Sequence, residues 1–229
     1  MSEPPFFIFL FFGVGVVLVI TIAILSWRRE RERRDALAAL AARLGFSFSA
    51  SPSSGLATRF QEFRGMNTGD NRYAFNIMEG AYQGHQVMAF DFHYETSSTD
   101  SKGNRSTSHH YFHVVTLSLE REFPTLFVAP ENIFSKIAQA FGYDDIDFES
   151  HEFSRRFCVR SKDRKFAYDF CNASMIEFLL AHPSLQLESR DGILAIVFNP
   201  SMDPQRIESE LELACAVRGH MPDYLFEAA

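Results

Sequence analysis

The chain of 229 residues carries 22 Lys and Arg against 29 Asp and Glu, a formal net charge of −7. This acidic balance argues against general nucleic-acid binding, which depends on basic side chains that neutralise phosphates, so we expect no nucleic acid among the partners. Hydrophobic residues make up 46% and charged residues 22% of the sequence, which is typical of a folded chain and argues against a disordered one.

An uncharged run opens the chain. After residues 1–5, which form a short extracytoplasmic N-terminus in this interpretation, Phe6 to Trp27 contains no charged residue. About 20 apolar residues are enough to cross a bilayer as a helix, so the run predicts a transmembrane helix over residues 6–27. No Lys or Arg precedes it and no small-residue cleavage site follows it, which favours a retained anchor over a signal peptide.

Arginines follow the run directly. Basic residues beside a span stay in the cytoplasm, so this flank predicts a single-pass protein of the inner (plasma) membrane with its N-terminus out and its domain cytoplasmic. The lipid bilayer is then an expected partner. The residues predicted to lie at the membrane interface are Trp27, Arg28, Arg29, Arg31, Arg33 and Arg34.

Residues 28–45 are predicted to form a basic helical stalk. Leu37, Leu40, Ala41 and Leu44 follow the i, i+3, i+4, i+7 spacing of one helix face, and Gly45 suits the helix end. We expect this face to dock on the domain. The Ser-rich residues 46–59 are predicted to be a linker, and residues 60–229 the soluble domain.

Strand patterns come next. Tyr73–Glu79 and His85–Glu95 alternate apolar and polar residues, as strands with one buried face do. Residues 96–108 contain no apolar side chain and are predicted to be a mobile hairpin loop. His109–Leu119 is predicted to be the partner strand.

The second half mixes both patterns. A helix is predicted from Pro130 to Gly142, a strand over Glu152–Arg160 and a helix after Asn172. A hairpin turning at Asp191-Gly192 and a last helix after Pro204 follow. This order lacks the regular alternation of a parallel sheet, so the fold class is α+β, with a mainly antiparallel sheet and three or so packed helices.

Several segments resemble motifs of a known family: Gly80-Ala-Tyr-Gln-Gly-His, Ala89-Phe-Asp-Phe, Asp145-Ile-Asp-Phe-Glu-Ser, Glu152-Phe-Ser-Arg-Arg-Phe-Cys-Val, Asp163-Arg-Lys-Phe-Ala-Tyr-Asp-Phe, Met175-Ile-Glu-Phe-Leu-Leu and Met221-Pro-Asp-Tyr-Leu. On these motifs, residues 80–225 resemble a family of bacterial membrane-anchored proteins of unknown function. The resemblance implies one or two hydrophobic spans ahead of the domain. It implies no activity and no functional residues.

Histidines and carboxylates alternate along two predicted strands. The first strand carries Asp91, His93 and Glu95 on one of its faces. The second strand carries His109, Tyr111 and His113 on one of its faces. If the two faces pair, four or five ligands converge, and imidazole with carboxylate suits zinc. Strand spacing spreads such residues over ~13 Å, so at most three would meet. A solvent-facing polar side of the hairpin explains the pattern without a metal. We therefore expect no cofactor; the candidates for a metal site are His93, His109, His113 and Asp91.

A basic stretch lies in the second half. Its members are Arg155, Arg156, Arg160, Lys162, Arg164 and Lys165. Such a cluster predicts contact with lipid headgroups or with a protein partner. Ion pairing with the acidic residues between Asp144 and Glu149 is the alternative.

Motifs for common reactions are missing from the sequence: HExxH, GxSxG, GxxxxGK[ST] and CxxC do not occur. The leading hypothesis is a membrane-tethered cytosolic domain that binds or scaffolds a partner without catalysis, although an enzyme is left open. The alternatives are a metal-dependent hydrolase that uses the His-rich hairpin and a small-molecule sensor.

Overall fold

The structure, a computed structural model, describes residues 6–131 and 145–227, with side chains from Val14 onward. Its centre is one sheet with the strand order β1-β2-β3-β4-β8-β7-β5-β6, in which all the neighbouring strands are antiparallel. The strands are β1 Ser47–Ser49, β2 Asp70–Tyr82, β3 His85–Thr99, β4 Arg105–Ser118, β5 Leu126–Pro130, β6 Phe157–Ser161, β7 Gln186–Arg190 and β8 Ile193–Phe198. The helices are α1 Phe6–Leu44, α2 Ser54–Arg59, α3 His151–Arg156, α4 Arg164–Phe170, α5 Ala173–Ala181 and α6 Ile207–His220, before a 3₁₀ turn at Asp223–Leu225.

The sheet is buried on both faces, and β3 shows why. Val87 and Ala89 face the main core, which α1 and α3 to α6 cover. Phe90 and Phe92, on the other face, pack with Phe60 and its neighbours after α2 in a second core. The α+β, mainly antiparallel part of the predicted fold class is thereby confirmed.

The transmembrane part of the predicted fold class is wrong. Within residues 6–131 and 145–227, no helix combines the length and the apolar character that crossing a membrane requires. α1 runs without a break from Phe6 through the arginine-rich segment to Leu44. The predicted span over residues 6–27 and the single-pass inner-membrane location are corrected accordingly.

The C-terminal part of α1 docks on the sheet, as the spacing of its leucines predicts. Leu37, Leu40 and Ala41 are buried in the main core. The helix ends where Gly45 adopts a φ of 73°, and the Phe46 amide donates to the Ala41 carbonyl at 2.8 Å. A left-handed residue after the last turn is a common helix stop because glycine adopts it without a steric penalty.

Several boundaries differ from the sequence prediction. Residues 46–59, the expected linker, contain β1 and α2. The expected strand over Glu152–Arg160 begins as α3, because the Ser150 side chain caps the helix by accepting from the Phe153 amide at 3.3 Å. The helix predicted from Pro130 to Gly142 falls largely on residues 132–144, outside the described residues.

The expected mobile loop at residues 96–108 is wrong in its extent. β3 and β4 remain paired from Thr96↔Ser108 to Thr99↔Arg105. Threonine favours strands, and the Asp100 side chain closes the turn by accepting from the Lys102 and Asn104 amides. A long two-stranded arm therefore projects where the absence of apolar residues had indicated a loop.

Candidate functional site

Asp91 and His113 form a buried polar pair in the middle of the sheet. They lie opposite each other on β3 and β4, and both are almost fully buried. Asp91 accepts from Arg33 Nη1 at 3.0 Å, from Asn76 Nδ2 at 2.8 Å and from the Met202 amide at 2.7 Å. Three donors satisfy a carboxylate that would otherwise be costly to bury.

His113, the other residue of this pair, is also held in place by other parts of the chain. Its Nδ1 lies 2.7 Å from the Pro200 carbonyl, and its Nε2 lies 2.7 Å from Glu210 Oε2. Arg206 donates to the second Glu210 oxygen at 2.9 Å. The pair thus connects the sheet to α1, to the loop after β8 and to α6.

Arg33 is the side chain that links α1 to this network. It also donates to the Met202 carbonyl at 2.9 Å and pairs with Glu30 at 3.0 Å. Burial alone would lower the pKa of Arg33, but the Glu30 hydrogen bond and the Asp91 charge outweigh it and raise the pKa. Arg33 therefore stays cationic and fixed in orientation.

A cleft of about 480 Å³ opens beside Arg33, between α1 and the outer part of the sheet. Aromatic rings form one wall: Phe75 lies 5.7 Å from Tyr73 and 6.4 Å from Tyr111, between ring centroids. Burial raises the pKa of Tyr73, so its hydroxyl stays protonated at neutral pH. The lining residues are Glu30, Arg33, Arg34, Ala50, Pro52, Tyr73, Phe75, Tyr111 and Ser201.

The predicted metal candidates separate into two groups. Asp91 and His113 belong to the buried network. His93 and His109 lie further out on the same face, where they meet Glu95. The carboxylate and imidazole atoms of this second group lie within 4.8 Å of one another.

The residues predicted at a membrane interface have different positions on α1. The Arg31 guanidinium lies 5.5 Å from the Trp27 ring centroid, and Arg28, Arg29 and Arg34 are exposed. Arg33 instead faces the sheet. Its role was missed by the sequence reasoning, although it precedes the buried Leu37 by one helical turn and so shares its face.

The predicted basic cluster is spread over three elements. Arg155 and Arg156 end α3, Arg160 lies on β6, Lys162 follows β6, and Arg164 and Lys165 begin α4. Arg156 pairs with Glu152 at 3.0 Å and Lys165 with Asp169 at 2.7 Å. Contact of this cluster with lipid or a protein partner stays a prediction.

The cysteines are poor nucleophiles. Cys158, Cys171 and Cys215 are free and buried. Burial raises the pKa of Cys158 to about 12 and also raises the pKa of the other two thiols. A thiolate is the reactive form, so none of them is poised for attack at neutral pH.

No family model matches the sequence, and no curated protein matches it. Among solved structures, the chain is similar to a crystal structure of the mycobacterial trehalose monomycolate transport factor A, TtfA, with 14% identity and a TM-score of 0.56. The match covers 84% of this chain and 97% of that one. At this identity, the likeness shows that the two chains share a fold.

Proposed function

We propose that this chain is a non-enzymatic binding module that holds a partner molecule in the cleft beside Arg33. The observation that carries the proposal is the contrast between the floor and the wall of the cleft. The floor is formed by Arg33, whose guanidinium donates to Asp91 and to the Met202 carbonyl and pairs with Glu30. The wall presents aromatic faces, with the Tyr111 side chain 47% exposed.

The chemistry of the lining favours binding over catalysis. Among the lining residues that the structure describes, there is no histidine, cysteine or lysine. Ser201 is the one aliphatic hydroxyl in that set, and the one carboxylate there, Glu30, is engaged in an ion pair with Arg33. A hydroxyl nucleophile needs a base that is free to accept its proton, and Glu30 already accepts from Arg33, so this lining favours recognition over reaction.

The cleft fits a ligand with a planar or apolar body and an acceptor group. Aromatic rings supply a large contact area at a low entropic cost, and the exposed guanidinium of Arg34 supplies directed hydrogen bonds. Arg34 is only loosely paired, at 3.7 Å from Glu30. TtfA is a transport factor, and the fold that it shares with this chain supports an accessory binding role here as well.

Site-specific photo-crosslinking tests this proposal. Tyr111 is replaced by benzoylphenylalanine in the full chain, and the matched control carries it at Tyr168, which is 44% exposed on α4. After irradiation in cells, we expect a discrete adduct at position 111 and none at position 168. Adding Phe75→Ala or Arg34→Gln should reduce the adduct at least about fivefold if a lost ring or guanidinium contact costs about 1 kcal/mol.

The mass of the adduct then separates a small molecule, as a sensor would bind, from a protein partner. Equal labelling at both positions would contradict the proposal, because the cleft would then show no preference. Labelling that Phe75→Ala and Arg34→Gln both leave unchanged would contradict it too.

A further inference from the structure

We propose that His93, Glu95 and His109 form a zinc site at the outer end of the β3–β4 face. This site is separate from the cleft and does not depend on its function. Tyr73 and Tyr111 stand between the two, since both line the cleft and both contact His93: the Tyr73 ring stacks on it, and the Tyr111 ring packs against it at a tilt.

The strand register brings these three residues together. Glu95 lies directly opposite His109 across the two strands. His93 lies opposite Tyr111, so it is the diagonal neighbour of His109 and shares its face with Glu95. Direct and diagonal cross-strand neighbours are within reach of each other when their side chains are long or aromatic.

The spacing of the three ligand atoms fits a zinc ion. His93 Nε2 lies 3.1 Å from His109 Nδ1, and Glu95 Oε1 lies 3.4 Å from His109 Nδ1 and 4.0 Å from His93 Nε2. The circle through these atoms has a radius of about 2.1 Å, close to the usual Zn–N distance of about 2.0–2.1 Å and Zn–O distance of about 2.0–2.2 Å. One ion can therefore contact all three with little movement of the side chains.

Asn71 supports the ligands from behind. His93 Nδ1 lies 3.1 Å from the Asn71 carbonyl, which sets the tautomer that leaves Nε2 as an acceptor. Asn71 Nδ2 donates to Glu95 Oε1 at 2.7 Å. Ligating histidines in zinc sites characteristically donate their other ring nitrogen to a carbonyl or carboxylate.

The backbone around Asn71 is built for this approach. Asn71 has a φ of 48°, a conformation that asparagine tolerates better than most residues. Gly69 has a φ of 69°, and a Cβ at that position would collide with the Glu95 carbonyl oxygen. The segment can therefore lie close against β3 only with glycine there.

Exposure differs among the ligands in the way an open zinc site needs. The side chain of His93 is 2% exposed and that of Glu95 22%, so both are held by their surroundings. The His109 side chain is 54% exposed, which leaves its side of the site accessible to solvent. Two histidines and one carboxylate with an accessible fourth position are a known zinc ligand set.

Zinc titration of the full chain tests the site. After chelator treatment, Zn²⁺ is added in competition with a chromophoric chelator, and Co²⁺ is added separately for its absorption spectrum. We expect one zinc ion per chain and tetrahedral Co²⁺ bands. His109→Ala should weaken zinc binding about 10-fold or more.

His110→Ala is the matched control. His110 is the next residue on the same strand and faces the other way, where it stacks on Tyr94 at 4.6 Å. It should bind zinc like the unaltered chain. Because His109 is exposed, its substitution should leave the fold intact, which circular dichroism can verify.

Two results would overturn the proposal. One is the absence of stoichiometric zinc, which would leave a hydrogen-bonded histidine pair next to Glu95 as the whole explanation. The other is equal affinity of the His109→Ala and His110→Ala chains, which would place the bound metal elsewhere. Neither result bears on crosslinking in the cleft.

Discussion

Two cross-strand pairs on one face of β3 and β4 have opposite surroundings. Asp91 with His113 and Glu95 with His109 each join a carboxylate to an imidazole in direct register. The first pair is buried, and each partner is bonded to other parts of the chain. In the second pair, His109 is more than half exposed.

The difference comes from the segments that cover the strands. Leu37 docks α1 on the sheet, which places Arg33 over Asp91, and Met202 closes the same carboxylate from the loop after β8. Residues 14–29 of α1 are exposed, so this part of the helix covers neither pair. Residues of the same type thus become structural where they are covered and available to a ligand where they are not.

The largest expected effect tests the inner pair. Asp91→Ala should lower the free energy of unfolding by about 3–5 kcal/mol, because it leaves Arg33 without its buried partner. Glu95→Ala, the matched change at the outer pair, should cost about 1 kcal/mol or less, since that carboxylate is partly solvated. Urea denaturation measures both. Equal losses of unfolding free energy would show that the segments covering the inner pair make no difference between the two pairs.

A second substitution tests the other half of the inner pair. Glu210→Ala removes the acceptor from His113 Nε2 and should cost about 1–3 kcal/mol, the usual penalty for a buried polar group without a partner. Glu212→Ala, on the exposed side of the same helix, should change the stability by less than about 0.5 kcal/mol. If the two variants unfold at the same urea concentration, the His113 contact contributes nothing.

A third prediction concerns Glu188, a buried carboxyl group whose contribution to stability depends on pH. It is buried on β7, where it accepts from the Arg64 amide at 2.8 Å and from Arg190 at 3.4 Å, and burial raises its pKa above the ordinary 4.5. A carboxyl group whose pKa is higher in the folded than in the unfolded chain stabilises the fold at pH values below its unfolded pKa. This contribution is lost as the pH rises through the folded pKa.

Glu188→Gln removes that titration. The stability of the unaltered chain relative to the variant should therefore fall as the pH rises above about 4.5 and then level off. Unfolding curves between pH 4 and 8 measure this difference. Parallel curves, or a relative gain in stability with pH, would contradict the assigned direction.

The sequence predicts the local features of the two pairs better than their surroundings. Strand alternation predicts which residues share a face, and leucine spacing predicts the docking of α1, because both depend on a local period. Contacts between residues far apart in the sequence, such as Arg33 and Met202, determine which pair is covered. No local period in the sequence encodes such contacts. The membrane-span prediction is wrong, and the β3–β4 arm differs from the predicted loop because polarity alone does not distinguish exposed paired strands from a loop.

The smallest expected effect concerns that arm, beyond the outer pair. Replacing Ser97 to Thr107 with Asn-Gly joins the paired residues Thr96 and Ser108 through a two-residue turn of a favoured type. The removed residues are exposed, so no apolar burial is lost. Shortening a loop changes the free energy of loop closure by only about 0.6 kcal/mol per halving of its length. The free energy of unfolding should change by less than about 1 kcal/mol, and zinc binding should persist because Glu95 and His109 keep their register.

Denaturation and zinc titration of the shortened chain measure the two effects. A loss above about 2 kcal/mol would mean that the arm packs against another part of the protein, so that the outer pair is more covered than its exposure indicates.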